Sequence, residues 1–389
     1  MHADERRKKP RASHRGHRGK TNPNDSIDAC FWHFYVFSVI SVANNFLNLS
    51  AFISVHRRLL VASSGLLRGF GLAASLVLAG IVPALAQTVP LYGATQMRFA
   101  TAAESRLRLG TRDAFVAAMS AYDRSARTGR REAVSEAEFM EFAAGQALDW
   151  QPAEIAKLSL SVAKLREQLR PLQLPLPKEV WLVKTTGREE AETPYTRGNA
   201  IILPQQYLNV AADEMERVIL HELFHVISRH VPERRNALYA IVGYRDCGPL
   251  DWPPELAPRR ITNPDAPDTR YCITLQRDGA PLTFYPVLFA KEESFDPVLP
   301  GTYLDRLLFK LMAVMGSGTN WIPGRAGAAL VLLDAGSVPE YFGAIGLNTR
   351  YIIHPEEILA DNFVFLVRGE RKVRTPRILD ELERVLAGK

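Results

Sequence analysis

A chain of 389 residues is long enough to bury a large core in one or two domains. Its composition, 47% hydrophobic and 23% charged, is that of an ordinary globular protein and excludes a disordered or low-complexity one. The net charge of +6 is unevenly spread: residues 1–86 hold 11 Lys/Arg against 4 Asp/Glu, and the remainder holds 37 against 38. The folded part is therefore close to neutral, and no nucleic-acid partner is expected.

Residues 1–28 are polar and basic, with Arg6-Arg7-Lys8-Lys9, and show no periodicity. Residues 29–55 are apolar and long enough to span a membrane, but Asn44, Asn45 and Asn48 near the middle oppose that reading. Residues 56–86 carry the parts of a secretory signal peptide. His56-Arg57-Arg58 and Arg68 make a positive n-region, Phe70 to Val82 an apolar h-region, and Ala84-Leu85-Ala86 an A-x-A cleavage site. Cleavage is expected after Ala86, and translation is expected to start downstream of Met1, near Val55. The expected location is periplasmic or secreted, with membrane contact only through an uncleaved leader. Export favours a bridge between the remaining cysteines, Cys247 and Cys272. It would close a loop of about 25 residues and add on the order of 3 kcal/mol.

Residues 87–178 read as a helical subdomain. Helices are predicted over Thr111 to Ala126, over Ser135 to Leu148 with Glu138 completing a capping box, and from Pro152 to Leu169. Pro171, Pro175 and Pro177 then form a linker. From Glu179 the pattern changes, and 179–389 reads as a second domain. Val180-Trp181-Leu182-Val183 and Ala200-Ile201-Ile202-Leu203 are strand-like and predict a hairpin around the polar stretch Thr185 to Gly198.

The next stretch, Glu214 to His230, is apolar-periodic and contains His221-Glu222-Leu223-Phe224-His225. Asp213 with Glu216 predicts a capping box at its start. On a helix, positions i and i+4 share a face, so His221 and His225 can address one ion, and Glu222 lies beside the open position. Neutral imidazoles at that spacing suit Zn²⁺. A catalytic zinc needs a third protein ligand. The extension H-E-x-x-H-x-x-G-x-x-H is not met, since Ser228 and Val231 stand at its Gly and third His and His230 is one position early. The better candidate is Glu357 in Pro355-Glu356-Glu357-Ile358-Leu359-Ala360-Asp361-Asn362-Phe363, with Asp361 four residues on to orient a ligand His. Glu292, Glu293 and Glu340 remain alternatives. Glu356, about 100° away on the same helix, is expected to take no part.

With these two motifs the chain resembles the gluzincin clan of zinc metallopeptidases, which includes the thermolysin and neprilysin families. Glu357, Ala360, Asp361 and Asn362 match the neprilysin-type E-x-x-A-D-N. The resemblance implies an α+β, zincin-like catalytic domain: a small sheet whose edge strand packs on the HExxH helix, with the second motif helix alongside. It implies His221, His225 and Glu357 as ligands, Glu222 as general base, and Asp361 behind a ligand. Asn199-Ala200 is similar to the Asn-Ala that begins the clan's substrate-binding strand. Tyr351 and His354 lie near the second motif as possible oxyanion donors.

Beyond the motif helix, residues 246–270 form a long loop rich in Pro, Asp and Arg. Tyr271 to Gln276 and Leu282 to Ala290 flank the turn signal Asp278-Gly279 and predict a hairpin. Residues 301–315 are ambiguous between helix and strand, and the glycines of 316–327 predict a loop without phosphate-loop spacing. Short helices are predicted over Pro339 to Ile345, Pro355 to Val367 and Pro376 to Ala387. The expected function is metal-assisted hydrolysis of a peptide bond in a peptide or protein substrate. The competing readings are an envelope-associated binding or structural protein with a vestigial zinc site, and a zinc hydrolase of a non-peptide amide.

Overall fold

The computed structural model describes residues 88–389, so the expected signal peptide and cleavage site lie outside the described residues. The described part is α+β. Strands β1 (Thr88–Tyr92) and β2 (Thr95–Phe99) open it as a hairpin. Four helices follow: α1 (Ala102–Leu109), α2 (Ala114–Ala118), α3 (Ala121–Thr128) and α4 (Glu136–Ala144). A two-residue strand β3 (Ala147–Leu148) leads into α5 (Pro152–Leu169), and then come β4 (Glu179–Thr185), β5 (Tyr195–Arg197) and β6 (Ala200–Pro204). The single helix expected over Thr111 to Ala126 is two. Met119 is extended, and the Ser120 side chain accepts from the Asp123 N–H to start a new helix. The helix from Ser135 keeps its capping box with Glu138 but stops at Ala144, because Ala147–Leu148 pair with β4 instead.

These strands form one sheet in the order β1-β2-β4-β6-β5, with β3 beside β4. This corrects the sequence reading in two places. Residues 88–99, placed in a helical subdomain, are strands of the same sheet as 179–204, so the boundary expected near 178 runs through that sheet. The apolar runs of 180–183 and 200–203 do not form a hairpin either: β4 and β6 pair in parallel, Leu182 opposite Ile201. The strand antiparallel to β6 is β5, which lies inside the stretch read as a loop. Parallel neighbours buried on both faces read as continuous apolar runs, which explains why direction was not legible. The margin of the sheet is β5, and β6 is an interior strand.

Helix α6 (Ala212–His230) carries the first motif and lies against this sheet. Its N-cap is Ala211, without a side-chain hydrogen bond, so the expected capping box is absent. Asp213 instead sits in the first turn and meets Arg368, while Glu216 pairs with Lys164 of α5. After α7 (Arg235–Ala240) the chain builds a second sheet from β7 (Tyr244–Asp246), β8 (Tyr271–Arg277), β9 (Ala280–Ala290), β10 (Leu307–Ser317) and β11 (Asn320–Pro323), in the order β11-β10-β9-β8-β7. The β8–β9 hairpin turns at Asp278-Gly279, both at positive φ, as its sequence predicts. The ambiguous stretch resolves into strand β10, and the glycine-rich one contributes β11.

Three helices close the chain: α8 (Pro339–Ile345), α9 (Pro355–Val367) and α10 (Arg377–Leu386). Helix α9 is buried on nearly every side, as a helix apolar all round must be. It packs along α6, with Phe224 and Phe363 fully buried and their rings 5.9 Å apart. Each ring contributes about 1.5–3 kcal/mol by burial, so the contact that brings the two motifs together is a firm one. Cys247 and Cys272 stand at disulfide distance, with Cα atoms 5.8 Å apart, and close the loop between β7 and β8. Among the described residues no helix is long and apolar enough to cross a membrane.

Candidate metal centre

The i, i+4 spacing on α6 does what it promises. His221 and His225 lie on one face, their rings 4.9 Å apart, and the first turn of α9 brings Glu357 between them. Glu357 Oε2 is 3.1 Å from His221 Nε2 and 3.6 Å from His225 Nε2. All three residues are buried, and one ligand atom from each lies within 4.8 Å of the others. Such a group could hold a metal ion. Glu292, Glu293 and Glu340 belong to neither of the clusters able to do so among the described residues.

Both imidazoles are held from behind. His221 Nδ1 lies 3.0 Å from Asp361 Oδ1, and Thr349 donates to the other oxygen of that carboxylate. His225 Nδ1 lies 3.0 Å from Glu356 Oε1, and Ser228 and Tyr239 donate to Glu356 as well. With Nδ1 held by a carboxylate, each Nε2 is left facing Glu357, protonated in the metal-free chain and able to offer its lone pair to an ion once that proton leaves. Glu356 was expected to point away and be silent; it is 1% exposed and does for His225 what Asp361 does for His221. The sequence held a signal for it. A helix as apolar as Ile358 to Val364 is buried on all faces, so a carboxylate in its first turn has to meet a partner inside.

The electrostatics call for a cation. Burial opposes the imidazolium of His221, but Asp361 and Glu357 outweigh it and hold its pKa well above the usual histidine value. Burial opposes that of His225 too, yet Asp265, Glu357 and Glu356 lift it to about 9. Burial raises Glu356, and its bond to His225 more than reverses this, bringing it to about 2. Three carboxylates thus converge on two rings that carry no permanent charge. His225 Nε2 is moreover buried without a hydrogen-bond partner. A metal ion among His221, His225 and Glu357 would satisfy both features, so these residues fit one.

The general-base candidate, Glu222, is 4% exposed and accepts from the Thr196 hydroxyl at 2.7 Å. Thr196 is the middle residue of β5, the sheet margin, so that strand packs on the motif helix at Glu222. Asn199 and Ala200 lie elsewhere: Ala200 is buried in the interior strand β6, and the Asn199 amide donates to the Glu179 carbonyl. Tyr351 stacks on His221 with ring centres 6.0 Å apart. His354 is the N-cap of α9, its Nδ1 accepting from the Glu356 N–H, and burial lowers its pKa to about 4.

Two further groups were not foreseen. Asn263 donates to the second oxygen of Glu357 at 2.6 Å. Asp265 forms, with Glu222 and His225, another set of potential ligand atoms within 4.8 Å of one another. Burial raises the pKa of Asp265, with Glu222 and Glu357 adding to the rise and His225 opposing it. Both residues lie in Asn263-Pro264-Asp265-Ala266-Pro267-Asp268, an irregular segment in which no periodicity marks a functional side chain. Comparison of the chain with protein-family models, with curated proteins and with solved structures returns no match, so the reading of this site rests on its own geometry.

Proposed function

We propose that the protein is an exported zinc-dependent peptide hydrolase of zincin-like fold, with His221, His225 and Glu357 as ligands and Glu222 as general base. The observation that carries this reading is the meeting of two sequence-distant motifs at one point. His221 and His225 present Nε2 to Glu357, each fixed from behind by its own carboxylate, with Glu222 alongside on the same helix. When bound, zinc supplies Lewis acidity for a carbonyl oxygen and lowers the pKa of water to roughly 7.

The chain's own residues do the rest. Asp361 and Glu356 orient the imidazoles and fix their tautomers. Thr196 holds one oxygen of Glu222, leaving the other to take a proton from water and pass it to the leaving amine. An intact base beside the site favours catalysis over a vestigial binding role, since a site that only binds metal has no need of one. Peptide rather than another amide is favoured by the short margin strand β5 beside Glu222, an edge that an extended chain can join through main-chain hydrogen bonds. The cysteine pair and the signal-like leader support export.

Metal analysis of purified protein, with hydrolysis assays on denatured casein and on cell-wall peptides, tests the proposal. One zinc per chain and cleavage of either peptide substrate are expected. Zinc without peptide cleavage would move the reading to another amide, and an empty site with no cleavage would sink it.

A further inference from the structure

The margin strand β5 already has an occupant. The Thr196 N–H is not taken by a neighbouring strand; it donates to Asp265 Oδ1 at 2.8 Å. That is the main-chain donor an added substrate strand would use. The same carboxylate offers an oxygen within 4.8 Å of ligand atoms of Glu222 and His225, so it stands against both the candidate base and a candidate metal ligand. Two residues earlier, Asn263 holds the outer oxygen of Glu357. A single segment therefore touches the edge strand, the ligand set and the surroundings of the base.

This segment is also fastened down. Arg229, one turn past His225 on α6, donates to the carbonyls of Pro264 and Asp265 at 2.9 and 2.8 Å. Arg260 donates to Pro267 O at 2.6 Å. At the upstream end the Thr262 N–H donates to the buried Asp123 carboxylate. The whole stretch lies within the loop that Cys247 and Cys272 close.

We propose that Thr262 to Asp268 is a strap lying across the margin strand and the candidate base, with Asp265 filling the space beside Glu222 and His225, so that the chain as folded is a hydrolase of restrained rather than abolished activity, raised when the strap is displaced or cut. The proposal rests on the hydrolase reading above and adds that the site is closed from within. An extended peptide competes with the strap for the Thr196 N–H and has to dislodge Asp265 to reach Glu222.

Acetohydroxamate, a small bidentate chelator, needs free positions on the metal but no substrate recognition, and so reports closure directly. Its affinity for the zinc-loaded full chain is measured by calorimetry, with zinc content determined in parallel, for the wild type, Asp265→Ala and Asp265→Asn. Asp265→Ala is expected to bind it roughly tenfold more tightly or better. Asp265→Asn should fall between, because its amide oxygen still accepts from Thr196 while the negative charge is gone. If Asp265→Ala does not fold, Asp265→Asn decides alone. Equal affinities in zinc-loaded proteins overturn the strap and leave the hydrolase reading standing. Failure of both wild type and variants to hold zinc overturns both. Opening is also expected to raise casein cleavage by the variants, but the calorimetric result does not depend on it.

Discussion

Two buried charge clusters in this chain are built on opposite principles. In the first, Arg127 is enclosed by acceptors: Asp123 at 2.8 Å, Glu190, Tyr303 at 3.1 Å and the Thr262 carbonyl at 2.8 Å. The cation is covalently part of the protein. Burial opposes the charge on Arg127, and Asp123 restores and raises its pKa. In the second, Glu356, Glu357 and Asp361 surround His221 and His225, which carry charge only when protonated. A buried carboxylate cluster closed by its own arginine is complete in itself, whereas one that lacks a permanent cation could receive it from outside. The first cluster also serves the second, since Asp123 and Arg127 anchor Thr262, where the strap begins.

Substitutions can separate the two kinds of cluster. The largest effect is expected at Glu222→Gln, which removes a proton acceptor while leaving the ligand set intact. Turnover should fall by about 10²–10⁴-fold with zinc content and melting temperature kept. Near-normal kcat in that variant would remove Glu222 from the chemistry. Arg127→Met should do the reverse. It leaves Asp123 and Glu190 buried without their cation and is expected to cost about 3–5 kcal/mol in urea unfolding, with zinc stoichiometry unchanged. Loss of zinc without loss of stability would break the distinction drawn above.

Smaller effects grade the metal cluster from within. Asp361→Ala and Glu356→Ala each free one ligand ring and should weaken zinc binding by about 10–100-fold in chelator competition. Glu357→Ala should weaken it more than either, because it removes a ligand rather than an orienting group. A silent Glu356→Ala would show that His225 does not need its partner.

Acid and base give a gentler probe of the metal-free chain. His225 is raised from 6.5 to about 9, so its contribution to stability is complete below 6.5 and lost as pH rises through about 9. Glu356 is lowered from 4.5 to about 2, so its contribution is present above 4.5 and lost as pH falls through about 2. Melting temperatures after chelator treatment should decline on the alkaline side. Zinc should abolish that decline, because an imidazole coordinated through Nε2 has already given up the proton that titrates there. An alkaline limb unchanged by zinc would place the metal away from His225.

Much of the site was legible because its determinants are local. The i, i+4 spacing of His221 and His225 follows from helical pitch, and Glu357 and Asp361 share a face for the same reason. The helices over 152–169, 339–345 and 355–367, and the β8–β9 hairpin, likewise follow from proline positions, apolar period and a turn dipeptide. Tertiary structure alone decided that β4 and β6 run in parallel, that residues 88–99 join their sheet, and that Thr196 rather than Asn199 or Ala200 stands beside Glu222. It also decided the places of Glu356, Asn263 and Asp265. Strand direction and contacts between segments tens of residues apart depend on which surfaces the whole chain buries together. Sequence period records which face of an element is apolar, but not what that face will meet.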